Sequence, residues 1–113
     1  MHFDLDNPHL LVEPIYGDVM ITFKDARIAD EDHIATIEKY IMELVDISPG
    51  TMVTLDFKNV KFMSSSCLGF LLKFHKTVAQ SQGKLKLRNM SKQIYEIFKI
   101  TSLHKVFKIE KSK

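Results

Sequence analysis

The chain has 113 residues, 45% of them hydrophobic and 27% charged, which fits one globular domain with a single core rather than a disordered chain. A formal net charge of +2 is too slight to draw nucleic acid by electrostatics alone, so direct nucleic-acid binding is not expected. One cysteine excludes an intramolecular disulfide and a cysteine-based zinc site, and no apolar run approaches the roughly 18 residues that cross a bilayer.

Residues 1–8 show no period and read as a lead-in to one domain over residues 9–113. His2, Asp4 and Asp6 stand where a signal peptide would be basic and then apolar, so a cytoplasmic location without membrane insertion is expected. Residues 10–16 read as a strand that Pro14 confines to a sheet edge or a strand end, because proline offers no N–H to a ladder. Gly17-Asp18 is the expected hairpin turn into a second strand over 19–23. Residues 26–28 are strand-like. Asp30, Glu31 and Asp32 then open a helix, their charge suiting the positive end of its dipole. Ile34, Ile37, Ile41, Leu44 and Val45 recur at three- and four-residue spacing as its core stripe, and Ser48-Pro49-Gly50 ends it.

Residues 52–57 form the strongest strand pattern, Lys58-Asn59 turns, and Val60-Lys61-Phe62 alternates. The next pattern is helical over 67–82, with Gly83 just past its end as a C-cap. Residues 84–88 alternate basic residues with Leu85 and Leu87 on one face. Ser91 is an N-cap for a helix bearing Ile94, Ile97 and Phe98, and residues 106–109 close the chain as a short strand. Strands alternating with helices predict an α/β single domain with a mixed, mostly parallel sheet and helices packed on it.

Three hydroxyls, Ser64, Ser65 and Ser66, separate the 60–62 strand pattern from the helix behind it. In open α/β sheets such turns at strand ends are where ligands and partners dock. Capping a helix needs one serine, and here there are three. The apolar arc of that helix contains Cys67, Leu68, Phe70, Leu71, Leu72, Phe74, Val78 and Ala79, spanning about 200° where one core face needs about 100°. Either the helix is buried on two sides, or the edge of the arc, Phe70 with Phe74, faces a protein partner. A phosphoryl group on Ser65 would add about −1.5 to −2 charges beside the positive end of the helix. The free amides there suit an anion, whereas a partner offering carboxylates or apolar surface does not.

No Gly-x-Ser-x-Gly elbow and no Walker loop occurs, and Lys73 stands where a cysteine phosphatase loop needs arginine, so catalysis is not expected. Cys67 at a helix start invites a lowered pKa and would carry a small enzyme or ligand-binding site if there were one. With no second cysteine it reads as a small half-buried residue. His2, His9, His33, His75 and His104 lack ligand spacing, so neither metal nor cofactor is implied, and His75 reads as a satisfied core histidine. Lys84, Lys86 and Arg88 form a solvated strand face, and Lys105, Lys108, Lys111 and Lys113 a soluble tail.

Residues 53–57, followed by Phe62-Met63-Ser64-Ser65-Ser66-Cys67-Leu68-Gly69, resemble the STAS domains of bacterial anti-sigma factor antagonists. The similarity continues through Gly83-Lys84-Leu85-Lys86-Leu87 and through residues 97–103, covering roughly residues 10 to 110. Ser64 stands where the family has Asp, and Cys67 where it has Gly. The resemblance implies a STAS-like fold and partner switching. The unphosphorylated antagonist would bind a histidine-kinase-like serine kinase that doubles as anti-sigma factor. The kinase would phosphorylate Ser65, with Ser66 and Ser64 as alternates, and a PP2C-type phosphatase would restore the free form. Ser64, Ser65, Ser66, Cys67, Phe70 and Phe74 would form the contact surface. The alternative is a STAS subunit of another assembly, a lipid transporter complex or a signalling scaffold, using the same helix for constitutive contact.

Overall fold

Two-residue alternation sorts the strands of the computed structural model, which describes residues 9–47 and 50–110. The elements run β1 (Leu10–Ile15), β2 (Asp18–Phe23), β3 (Arg27–Ile28), α1 (Glu31–Ile47), β4 (Met52–Asp56), β5 (Phe62–Met63), α2 (Ser65–Gln80), β6 (Lys84–Arg88), α3 (Lys92–Ile100) and β7 (Lys108–Glu110). Five strands form one sheet in the order β1-β2-β4-β6-β7. β1 is antiparallel to β2 and every other neighbour is parallel, so the expected mixed, mostly parallel sheet is present. β1 lies at the edge, as Pro14 requires. β3 and β5 pair in a separate parallel ribbon of two residues each. The lead-in, Ser48-Pro49 and the side chains of Leu44 and Val45 lie outside what is described.

Val12, Ile21, Leu55, Leu87 and Ile109 are successive register partners across the five strands. This apolar row belongs to the one core that the helices also enter. α1 contributes Ile34, Ile37 and Ile41, α2 contributes Leu71, Phe74 and Val78 among others, and α3 contributes Ile94 and Phe98. The next row alternates to the opposite face and reads Thr22, Asp56, Arg88 and Glu110. Lys86 Nζ donates to Glu110 Oε2 at 2.8 Å, and that hydrogen bond holds the Glu110 carboxyl below its ordinary pKa.

Among the boundaries that differ from the sequence reading, three have a clear local reason, and α2 starts at Ser65, two residues before the expected Cys67. The hairpin turn is Tyr16-Gly17 rather than Gly17-Asp18. Both residues take positive φ (49° and 87°), which matches the twist of the flanking strands, and Asp18 already pairs with Ile15. At the end of α2, Gln82 rather than Gly83 takes the left-handed φ of 62°. Its N–H donates to the Ala79 carbonyl at 3.0 Å while the Gly83 N–H donates to Val78 at 2.9 Å, the paired closure of a helix end. Glycine at 83 has another cause, since a Cβ there would stand 2.6 Å from the Thr51 carbonyl. Finally, the last strand begins at Lys108. The Leu103 carbonyl accepts from Val106 and Phe107, so a 3-10 turn over Leu103–Lys105 uses the chain up to that point.

Candidate functional site

β5 and α2 meet at the three serines, and the geometry gives each a different task. Ser64, extended at φ −83° and ψ 168°, is the N-cap. Its Oγ accepts from the Cys67 N–H at 3.4 Å, its carbonyl accepts from Cys67 and Leu68, and its own N–H donates to the Ile28 carbonyl at 3.0 Å. Ser65 and Ser66 form the first helical turn, with exposed side chains. Amides in a first turn have no acceptor earlier in the helix, and no acidic residue stands in this one. The positive end of α2 is therefore uncompensated beside two exposed hydroxyls.

One turn further on, Gly69 shares that exposed face at i+3 and i+4 from the two serines. A Cβ built on it meets nothing within 4 Å. Glycine inside a helix costs about 0.5–1 kcal/mol relative to alanine, and no packing among the described residues requires it here. Gly69→Ala is therefore expected to raise folding stability by about 0.5–1 kcal/mol in urea denaturation. A fall would show that the bare Cα serves the fold.

The ribbon adds a neighbouring surface. Phe62, exposed at 41%, lies under the Arg27 guanidinium, which stands 4.2 Å from its ring centroid. The two residues are register partners, and the Ala26 carbonyl accepts from both Lys61 (2.7 Å) and Phe62 (3.1 Å). Sequence reasoning missed Phe62 and Gly69. Alternation through 60–62 suggested an ordinary strand, whereas only Phe62–Met63 pairs, and on a ribbon of its own.

Phe70 and Phe74 are not at this surface. They are 5% and 0% exposed, with rings stacked at 6.1 Å, so the wide apolar arc is that of a helix buried on two sides. Cys67 is likewise buried. Its thiol points at the Met63 sulfur at 3.7 Å, and burial pushes it up to about 12, the reverse of the lowered pKa that a nucleophile needs. His75 packs edge-on against Phe107 at 5.3 Å, yet its buried Nδ1 lacks a hydrogen-bond partner, so it is packed without being satisfied. Nor are the histidines all scattered in space, because His9 and His33 both flank Asp25.

The STAS domain model matches residues 17–113. The anti-sigma-B factor antagonist of Listeria monocytogenes is 28% identical over 72 residues, which cover 64% of this chain and 63% of that protein, less than two thirds of its length. A solved anti-sigma-factor antagonist (STAS) domain protein from Planctomyces limnophilus superposes with a TM-score of 0.82 at 20% identity, covering 92% of this chain and 91% of that one. The Bacillus cell fate determinant SpoIIAA superposes in both of its states. The unphosphorylated antagonist gives a TM-score of 0.71 at 17% identity over 92% of this chain and 89% of that one. The phosphorylated form gives 0.69 at 16% identity over 92% and 91%.

Proposed function

The chain belongs to the STAS domain family, and on that premise we propose that it is an anti-sigma factor antagonist working by partner switching. In its unphosphorylated form it binds a histidine-kinase-like serine kinase that doubles as anti-sigma factor. The kinase modifies Ser65, and a PP2C-type phosphatase reverses the modification. The exchange takes place in the cytoplasm; among the described residues no helix is long and apolar enough to cross a membrane.

The observation that carries this reading is the placement of Ser65 and Ser66 at an uncompensated helix N-terminus, on the face that also bears the bare Cα of Gly69. A phosphoryl group there meets amide donors and a favourable dipole, so the fold tolerates it. A partner pressed against Phe62 and Gly69 meets about −1.5 to −2 added charges, which oppose any carboxylate or apolar surface it presents. Ser64 supports Ser65 as acceptor in a second way. Serine caps a helix about as well as aspartate, so the family's Asp position keeps its structural task. No carboxylate then stands beside the acceptor, and the charge change begins from a neutral turn. Ser64 itself, half-buried with its Oγ in the cap, is the poorest acceptor of the three. The contact set on this reading is Phe62, Ser65, Ser66 and Gly69.

The test uses the cognate kinase with ATP, mass spectrometry to locate phosphate, and titration of each form against the kinase. Ser65→Ala is expected to abolish modification and leave binding intact. Ser65→Asp is expected to weaken binding at least about tenfold, roughly 1.4 kcal/mol or more. Equal affinity of the modified and unmodified forms would remove the switch. Co-purification with a membrane ATPase, with all three serines unmodified, would favour a constitutive subunit instead.

A further inference from the structure

His9, Asp25 and His33 come from three separate segments that the sheet gathers at one end. The Lys24 N–H donates to the His9 carbonyl at 2.9 Å, carrying the β1–β2 ladder one step past the Leu10 and Phe23 pair. That step sets His9 alongside Asp25. His33 lies in the first turn of α1, where the Asp30 carboxylate accepts from the Asp32 N–H at 2.8 Å and the Asp30 carbonyl from Ile34 at 2.9 Å. Asp25 Oδ2 is then 2.8 Å from His9 Nδ1 and 2.9 Å from His33 Nε2. The two imidazole centroids are 4.0 Å apart, and the three donor atoms all lie within 4.8 Å of one another.

His33 Nε2 is buried and, although Asp25 Oδ2 stands 2.9 Å away, the two are not aligned as a hydrogen bond. Buried polar atoms are satisfied as a rule, and an ion between the three donors would satisfy this one. We propose that His9 Nδ1, His33 Nε2 and Asp25 Oδ2 bind a divalent transition ion of the zinc class, with water completing the shell. Two imidazoles with one carboxylate suit zinc, copper or nickel, whereas calcium and magnesium take oxygen donors. In a tetrahedral site with bonds of about 2.0–2.2 Å, neighbouring donors stand about 3.3 Å apart, so these side chains need to open by about half an ångström. Exposures of 32% for His9, 34% for Asp25 and 14% for His33 leave room for that movement and for the water. The positive end of α1 opposes a cation, and Glu31 and Asp32 in the same turn offset it.

Asp25 immediately precedes Ala26, whose carbonyl holds the amides of Lys61 and Phe62. An ion on Asp25 therefore fastens the start of β1, the β2–β3 link and α1 to the ribbon that leads into the serine turn. The proposal stands independently of phosphorylation and of any partner.

The test is calorimetric titration of the untagged full chain with Zn2+, with Co2+ as the spectroscopic probe. One Zn2+ per chain is expected, with affinity falling as pH falls because protons compete for the imidazoles. Asp25→Asn and His33→Gln are each expected to lower that affinity at least tenfold and to abolish the visible Co2+ band, while His75→Gln and His104→Gln leave both unchanged. If His33→Gln fails to fold by circular dichroism, His9→Gln, which precedes β1, carries the same expectation. Absence of saturable binding, or unchanged affinity in Asp25→Asn and the folded histidine variant, would overturn the site.

Discussion

Phe74→Ala is expected to lower folding stability by about 3–5 kcal/mol, while Phe62→Ala changes it by less than about 1 kcal/mol. The contrast follows from placement. Phe74 has no exposed surface and stacks on Phe70 inside the single core, so truncation removes buried area and leaves a cavity lined by residues that cannot fully collapse. Phe62 stands on the short ribbon at 41% exposure, under Arg27, where water fills the space that its ring leaves. A domain of this size is stable by about 5–15 kcal/mol, so the Phe74 variant gives up a large share of the total. Urea denaturation measures both, and the midpoint should move with little change in slope. On the proposed function the two variants separate core from contact surface, because Phe62→Ala is then expected to weaken binding of the proposed kinase about tenfold while the protein remains folded. A Phe74→Ala protein as stable as the parent would favour the other alternative that the helical wheel left open, a ring facing a protein partner.

Asp56→Ala is expected to cost about 2–4 kcal/mol. Asp56 is 3% exposed at the end of β4, and both of its oxygens are engaged. Oδ1 accepts from the Lys58 N–H at 2.9 Å, Oδ2 accepts from Asn89 Nδ2 at 3.1 Å, and Arg88 Nε lies 3.9 Å from the same oxygen. Asn89 holds a left-handed φ of 58°, so one carboxylate fastens the turn after β4 to the strained turn after β6. Alanine would leave the Asn89 amide and the buried Arg88 Nε facing an apolar methyl. Asp56→Asn should be milder, about 1–2 kcal/mol, because its carbonyl still serves Lys58 while its NH2 opposes that of Asn89. Thermal unfolding is the measurement. A midpoint drop of less than about 3 °C for Asp56→Ala would show that the carboxylate does not join these two turns.

Much of the fold was legible because the signals were periodic or obligatory. Ile34, Ile37 and Ile41 declared one helix face, Leu85 and Leu87 one strand face, Pro14 an edge and Ser91 a cap, and each rests on local chemistry alone. The misplaced boundaries turn on single residues that depart from what their type or position suggests. Tyr16 and Gln82 take positive φ against their type, and Gly83 is glycine because of Thr51. The serine turn was legible from three hydroxyls in succession, but the task of each serine was not, since the N-cap is fixed by the contact of Ser64 with Ile28 across the ribbon. The wheel of α2 gave the width of the apolar arc correctly and could not say what lay against its edges. The His9, Asp25 and His33 cluster had no signal in spacing, because a ladder and a loop, rather than one helix or one turn, bring it together.

The β3–β5 ribbon bears on how a hydroxyl at the head of α2 could be delivered into an enzyme cleft. An acceptor carried directly on the five-stranded sheet could be lifted only by tearing a central strand. Here the approach to Ser65 is held by the Ala26 carbonyl, the Ser64 to Ile28 bond and a pairing two residues long. Such a tether has two register pairs where β4 and β6 share five, and it is anchored in the core by Ile28 and Met63. The molecule thus sets two exposed hydroxyls, Ser65 and Ser66, directly behind a ribbon that stands apart from its main sheet.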